Sequence, residues 1–344
     1  MAALHVRARE REVSRAGVDK GPVFIVGMNG SGTTMLLDCL NSHPNLYGFP
    51  LETRVLPYYL ERAHTYGDLT DDKRFLKLWQ DLRSIVFFKI VNGGEPPPLP
   101  DDWAEHERSL ASVLDAIFRY FAAREGKRRW CEKSPLYALH LERFASAYPS
   151  ARFIHLIRDG RDCAASFNRR WGFTPAKTMH HWKHVVRRGR ELGSTLGNRY
   201  MEVRYEELTD WPRTTMRQLC AFLDEPYISD VLEIGRPRNQ KKTLAVKIIP
   251  NSEKWRTCFS PRELRRLERI GGALLHELGY ETSDPVGDWD VSRYLMGYWA
   301  CRDNSRRAGE AIFRIMKTSD GRRRRLMIQR LATSVWNKLQ SRVA

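Results

Sequence analysis

The segment Gly27-Met-Asn-Gly-Ser-Gly-Thr-Thr34 packs three glycines, a serine and two threonines into eight residues. Glycines let a backbone wrap closely around an anion, and N–H groups at the start of a following helix point at it. The spacing Gly27-x-x-x-x-Gly32 is that of a nucleoside-triphosphate loop, yet Thr33 stands where such a loop carries its lysine. Without that lysine the γ-phosphate contact is lost, so the segment reads as a phosphate loop of another kind. Glycine and serine also suit an ordinary strand-to-helix turn, which is the plainer alternative. A second segment, His155-Leu-Ile-Arg158-Asp-Gly-Arg-Asp-Cys-Ala-Ala-Ser166, sets a guanidinium and a hydroxyl eight residues apart. Facing one groove, they have what a terminal phosphate needs. The alternative there is Asp159 as a helix cap and Arg158 as a surface ion pair.

Both segments need strands and helices to aim them. Pro22-Val-Phe-Ile-Val-Gly27 is a short β-branched run that reads as a buried strand, followed by a helix over Thr33 to Asn41. Arg152-Phe-Ile-His-Leu-Ile157 reads as a second strand, with a helix over Cys163 to Trp171. A third strand is expected at Tyr200 to Tyr205, and helices at Trp103 to Arg124, Pro212 to Leu223 and Pro261 to Leu278. Strands alternating with helices predict an α/β fold: a P-loop-like parallel sheet covered by helices on both faces. Beyond Gly279 the pattern weakens. Leu326, Leu331, Val335, Trp336 and Leu339 recur at helical spacing behind Arg322 to Arg325, an amphipathic basic helix. The chain thus divides into a mobile leader over 1–20, an α/β domain over 21–283 and a basic helical extension over 284–344.

With 344 residues, 42% hydrophobic and 29% charged, the chain matches an ordinary globular protein. That excludes a disordered tail, a collagen-like repeat and a disulfide-stapled miniprotein. Apolar runs are far shorter than the roughly 18–20 residues that span a bilayer, and the N-terminal stretch shows no secretory h-region. Six cysteines are scattered without pairing, and His180-His181 are adjacent rather than spaced for a metal. A reducing, cytoplasmic setting without a metal centre is expected. The net charge is +17, but the stretch from Cys301 onward holds 12 Lys/Arg against 3 Asp/Glu. The charge of the remainder suits an anionic cofactor and gives no reason to expect nucleic acid.

A strand ending in Ser-Gly-Thr-Thr, and a later one ending in Arg-Asp-Gly-Arg with a serine eight residues after the first arginine, resemble the sulfotransferases. Those enzymes use 3′-phosphoadenosine-5′-phosphosulfate (PAPS). The motifs are most similar to the protein-tyrosine sulfotransferase branch, with support from Gly48-Phe-Pro-Leu-Glu52-Thr-Arg54-Val-Leu-Pro57, Glu132-Lys133-Ser-Pro135, Val203-Arg-Tyr205-Glu-Glu-Leu208 and Ser252-Glu-Lys254-Trp255. The likeness runs from about Pro22 to Tyr280. It implies Glu52 as general base and Lys133 as transition-state stabiliser. Gly30, Ser31, Gly32, Thr33 and Thr34 would hold the 5′-phosphosulfate. Arg158, Ser166 and Arg170 would hold the 3′-phosphate, with Tyr205 and Lys254 completing the nucleotide site. Arg54 falls at an acceptor contact, and Asn239 falls near an assisting serine of that branch. No metal is implied, because a sulfuryl group carries less negative charge than a phosphoryl group and lysine and N–H donors suffice.

The sequence departs from that pattern in two places. Gly30 replaces the Arg or Lys that usually precedes Ser-Gly-Thr-Thr, and one extra residue separates His43-Pro44 from Glu52. Lys133, Arg54 and Lys254 are the candidate substitutes for the missing cation. Glu52 also reads as a structural carboxylate paired with Arg54, Lys133 as a surface charge, and His43 as a rival base. The expected acceptor is a hydroxyl on a glycan, lipid, small molecule or peptide tyrosine. A P-loop kinase and a catalytically weakened nucleotide-binding adaptor are the rival functions. The basic helix over 322–344 suits peripheral contact with an anionic membrane, or packs its apolar face on the domain.

Overall fold

A computed structural model of the chain describes residues 20–232, 248–283 and 287–317. The leader over 1–19, Asn239 and the basic run Arg322 to Arg325 lie outside the described residues. The described chain divides into two compact units. One runs through Asp159 and resumes over His184–Glu253; the other comprises Gly160–Lys183 and the chain from Lys254 onward.

The first unit is built on five parallel strands: β1 (Val23–Gly27), β2 (Leu46–Gly48), β3 (Arg129–Lys133), β4 (Arg152–Ile157) and β5 (Tyr200–Arg204), in the order β2-β3-β1-β4-β5. Side chains of β1 alternate between the faces, as strand geometry requires. Val23 and Ile25 join Ile154, Leu156 and Val203 beneath Leu36 and Leu40 of the helix Thr33–Asn41 and Leu219 of the helix Pro212–Phe222. Phe24 points the other way, stacking on Phe144 and Phe153 at 5.3 Å each and meeting Trp130 edge-on at 5.6 Å. Phe144 lies on the helix Leu141–Ala147, and Phe118 of the helix Leu110–Arg124 reaches Trp130 at 4.4 Å. Helices therefore cover both faces, as the alternation of elements predicts.

The helix expected over Trp103 to Arg124 is broken: a short 3-10 turn ends at Glu105, and Ser109 caps a new helix through its side chain to Ser112 N. The helix expected from Cys163 begins at Gly160. Tyr205 leaves β5 and opens a short helix, Tyr205–Asp210. The sequence reading passed over β3, because Arg-Trp-Cys-Glu-Lys looks like surface. All five of its residues are buried, and each charge meets a partner from elsewhere in the unit. Arg129 bonds the carbonyls of Gly21 and Leu223, for example.

In the second unit Arg161 is buried, paired with Glu268 Oε1 at 2.7 Å and stacked over Trp255 at 3.8 Å. Asp303 accepts from Thr174 N and Oγ1 and from Lys177 Nζ, tying the helix Arg293–Lys317 to residues 174–177. A capping box of Ser260 and Glu263 starts the helix Pro261–Glu277. The chain beyond Gly279, which shows little pattern, thus holds a 25-residue helix.

Candidate active site

All five strands run the same way, so β1, β3 and β4 deliver their C-terminal ends to one edge, where parallel sheets hold ligands. After β1 the chain turns through Met28 to Gly32, with Ser31 N bonded to Met28 O at 3.0 Å. Glycine is required at one position here and favoured at a second. Gly32 has φ 93°, and a Cβ on it would lie 2.5 Å from the Tyr205 ring. Gly30 has φ 91°, a left-handed backbone that side chains disfavour. The helix Thr33–Asn41 starts with no side-chain cap and no acidic residue in its first turn. Its leading N–H groups and positive dipole end are left for an anion. Ser31 and Thr33 are buried and Thr34 is exposed. A backbone cradle that a Cβ would fill, ending in an uncapped helix, fits a phosphosulfate.

Beside the loop, β3 ends in Lys133, level with Ile25 of β1. Lys133 Nζ lies 2.9 Å from Glu52 Oε1, and Arg54 reaches Glu52 Oε2 through Nη2 at 2.7 Å and Nε at 3.0 Å. Burial raises the Glu52 carboxyl, but the hydrogen bonds and charges of Arg54 and Lys133 outweigh it and hold its pKa below the ordinary value. Lys133 is buried, which excludes the surface-charge reading, while Glu52 both pairs with Arg54 and meets the lysine. Arg54 itself is exposed, in a left-handed backbone with φ 55°. His43, the rival base, has both ring nitrogens occupied, by Pro226 O at 2.9 Å and Asn45 N at 3.1 Å, so its role is structural.

On the other side of β1, Arg158 follows β4 and is buried. Its Nη1 donates to Gly30 O at 3.0 Å and its Nη2 to Asn251 O, and its guanidinium lies 4.2 Å from the Tyr205 ring centroid. Its burial excludes the surface position of the alternative reading and holds a planar donor fork against the loop. The Asp159 N–H donates to Glu206 Oε1 at 3.0 Å. Ser166, Arg170 and Lys254 belong to the second unit. There Ser166 is buried in the helix Gly160–Trp171, whereas Arg170 and Lys254 are exposed. Lys254 precedes the turn Trp255–Cys258, which Asp162 anchors by accepting from Trp255 N.

Two carboxyl groups escaped the reading of the sequence. Asp38, on the helix behind the loop, feels the charge of Lys133, yet burial lifts its pKa to about 6. Glu132 is wholly buried and accepts on Oε1 from Thr53 N, Thr53 Oγ1 and Ser134 Oγ. Only its position beside Lys133 hinted at a role. Among the described residues no group of three or more His, Cys, Asp or Glu could hold a metal ion, and no helix is long and apolar enough to cross a membrane.

Residues 22–230 match the model of a group described as the sulfotransferase family. A putative protein-tyrosine sulfotransferase of Caenorhabditis briggsae is 25% identical, over 78% of this chain and 92% of its own length. A protein-tyrosine sulfotransferase of Drosophila melanogaster is 28% identical over 61% of this chain and 39% of its own. Among solved structures, the sulfotransferase domain from the curacin biosynthetic pathway aligns with a TM-score of 0.52 at 22% identity, covering 76% of this chain and 98% of that one. That last likeness speaks to the fold.

Proposed function

The chain belongs to the sulfotransferase family, and from that premise we propose that it transfers a sulfuryl group from PAPS to an acceptor hydroxyl. The observation that carries the reading is the Lys133–Glu52 pair, 2.9 Å apart at the strand edge from which the phosphate loop departs. When bound, PAPS supplies a sulfuryl group on a phosphate leaving group. Loop N–H groups from Gly30 to Thr34, with the Ser31, Thr33 and Thr34 hydroxyls, would hold its 5′ end. Arg158 offers its fork to the 3′-phosphate, and Tyr205 closes over the loop. The roles of Ser166, Arg170 and Lys254 in nucleotide binding rest on the family resemblance.

Arg54 and Lys133 together hold the Glu52 pKa below its ordinary value, so the carboxylate is ready to take the acceptor proton. General-base assistance of this kind is worth about 10²–10⁴-fold. As the proton arrives, Glu52 loses its charge and Lys133 becomes free to meet the charge developing on the transferred group. The loop brings no cation of its own at Gly30, so Lys133 is the cation best placed to serve; Arg54 lies on the exposed rim, where an acceptor arrives. The names of the relatives make a tyrosine hydroxyl the first acceptor to try. We place the reaction in the cytoplasm, on the support of six free cysteines, four of them buried.

The test compares 3′,5′-adenosine diphosphate with ADP and ATP in a thermal-shift assay, with and without magnesium. A ligand that binds only the native state raises its melting temperature. We expect stabilisation by the 3′,5′ compound alone, independent of magnesium. Stabilisation by ATP with magnesium instead would overturn the reading in favour of a kinase, and silence from all three would favour a non-catalytic adaptor.

A further inference from the structure

Glu132 and Ser134 flank Lys133 on β3 and its exit. Because strand side chains alternate, they face away from the side on which Lys133 meets Glu52. Both enter a buried network with the residue that follows Glu52. Glu132 Oε1 accepts from Thr53 N at 3.2 Å, Thr53 Oγ1 at 2.8 Å and Ser134 Oγ at 2.7 Å. Tyr137 Oη lies 3.4 Å from Thr53 Oγ1 and accepts from Leu56 N at 3.3 Å. Thr53, Glu132, Ser134 and Tyr137 are all buried. Glu132 Oε2 is also buried and has no hydrogen-bond partner among the described residues. A carboxyl group with one oxygen triply bonded and the other unsatisfied is costly for a core. Its bonds serve one evident end: the segment carrying Glu52 is tied to the strand carrying Lys133.

We propose that Glu132 is a positioning residue that, through Thr53, sets the Glu52 carboxylate in register with Lys133. This inference rests on the sulfotransferase reading for its catalytic meaning but not for its geometry. Glu132 touches neither acceptor nor donor. Oε1 needs only to accept, so a glutamine at 132 keeps all three bonds and an alanine loses them. Without the clamp, Glu52 retains its covalent place in the chain but loses the backbone tether next to it. A misplacement of order 1 Å costs about 10²-fold in rate.

The test uses the full chain and the variants Glu132→Ala and Glu132→Gln. Acylation of Lys133 by an activated ester, followed by peptide mass spectrometry, reports the Glu52–Lys133 pairing without any acceptor. We expect Lys133 labelling several-fold faster in Glu132→Ala and at the native rate in Glu132→Gln, with Lys77 and Lys177 unchanged in both. Unchanged labelling of Lys133 in Glu132→Ala, equal effects of the two variants, or a parallel rise at every lysine overturns the proposal. If Glu132→Ala does not fold, Thr53→Val replaces it: a smaller rise at Lys133 supports the clamp and no rise overturns it. With PAPS and 4-nitrophenol as a phenolic acceptor, kcat should fall about 10²-fold in Glu132→Ala, with affinity for 3′,5′-adenosine diphosphate retained. An unchanged kcat, or nucleotide affinity lost in step with kcat, overturns it as well. Failure of the native protein to bind that nucleotide sinks the sulfotransferase reading and leaves the labelling result standing.

Discussion

At the scale of single residues, Glu52 and Gly30 make opposite demands. In the proposed reaction Glu52 works through its carboxylate, so Glu52→Gln is expected to cut turnover by about 10²–10⁴-fold while 3′,5′-adenosine diphosphate still binds, as titration calorimetry would show. Its pKa is depressed by Arg54 and Lys133 despite burial, so the carboxylate contributes stability above its ordinary pKa of 4.5 and loses it as pH falls through the lower native value. The rate should therefore be independent of Glu52 protonation above about pH 5, a plateau visible in a kcat–pH profile. Gly30 works through its backbone. At φ 91° a side chain is strained, so both Gly30→Ala and Gly30→Arg are expected to lose about 1–3 kcal/mol in denaturant unfolding. A native-like Gly30→Arg with a faster rate would show that the missing cation, and not the turn, limits this loop.

At the scale of elements, β3 and β1 carry the site. Phe24 of β1 contacts four aromatic rings, those of Trp130, Phe144, Tyr148 and Phe153, and is fully buried; Phe24→Ala should cost about 3–5 kcal/mol, measured as a fall in the urea midpoint. Glu132 gives β3 a pH signature. Burial raises its pKa to about 7, against the hydrogen bonds from Ser134 and Thr53 and the charge of Lys133, and Tyr137 is the other ionisable group facing it. A raised carboxyl pKa means the native state binds the proton more tightly than the unfolded chain. Its stabilisation is complete below the ordinary value of 4.5 and is lost as pH rises through about 7. Between pH 5 and 8 the native protein should lose more stability than Glu132→Gln; parallel profiles would place the titration elsewhere.

At the scale of the molecule, a net charge of +17 draws anions of many kinds, and only local geometry selects among them. Arg158 is the selective element we propose in the first unit, because a buried planar fork favours a phosphate where a diffuse positive surface does not. Arg158→Ala should weaken 3′,5′-adenosine diphosphate binding by about 1.5–3 kcal/mol, with little change for ADP. Equal losses for both nucleotides would trace the effect to the lost bond with Gly30 O and remove the 3′-phosphate assignment.

The amino-acid sequence by itself determined the glycine-rich loop between strand and helix, the strands at Val23 to Gly27 and Arg152 to Ile157, the parallel α/β class and the family. These are local matters: glycine, β-branched and helix-forming residues declare themselves within a few positions. Only the tertiary structure decided that Arg129-Trp-Cys-Glu-Lys133 is a buried strand, because its charges are paid for by partners up to 108 residues away in the chain. It also decided that Glu52, Lys133 and Arg54 form one cluster, that His43 is occupied elsewhere, and that Glu132 ties Thr53 to the lysine strand. Each depends on a pairing between segments far apart in sequence, for which no spacing within one segment holds the information.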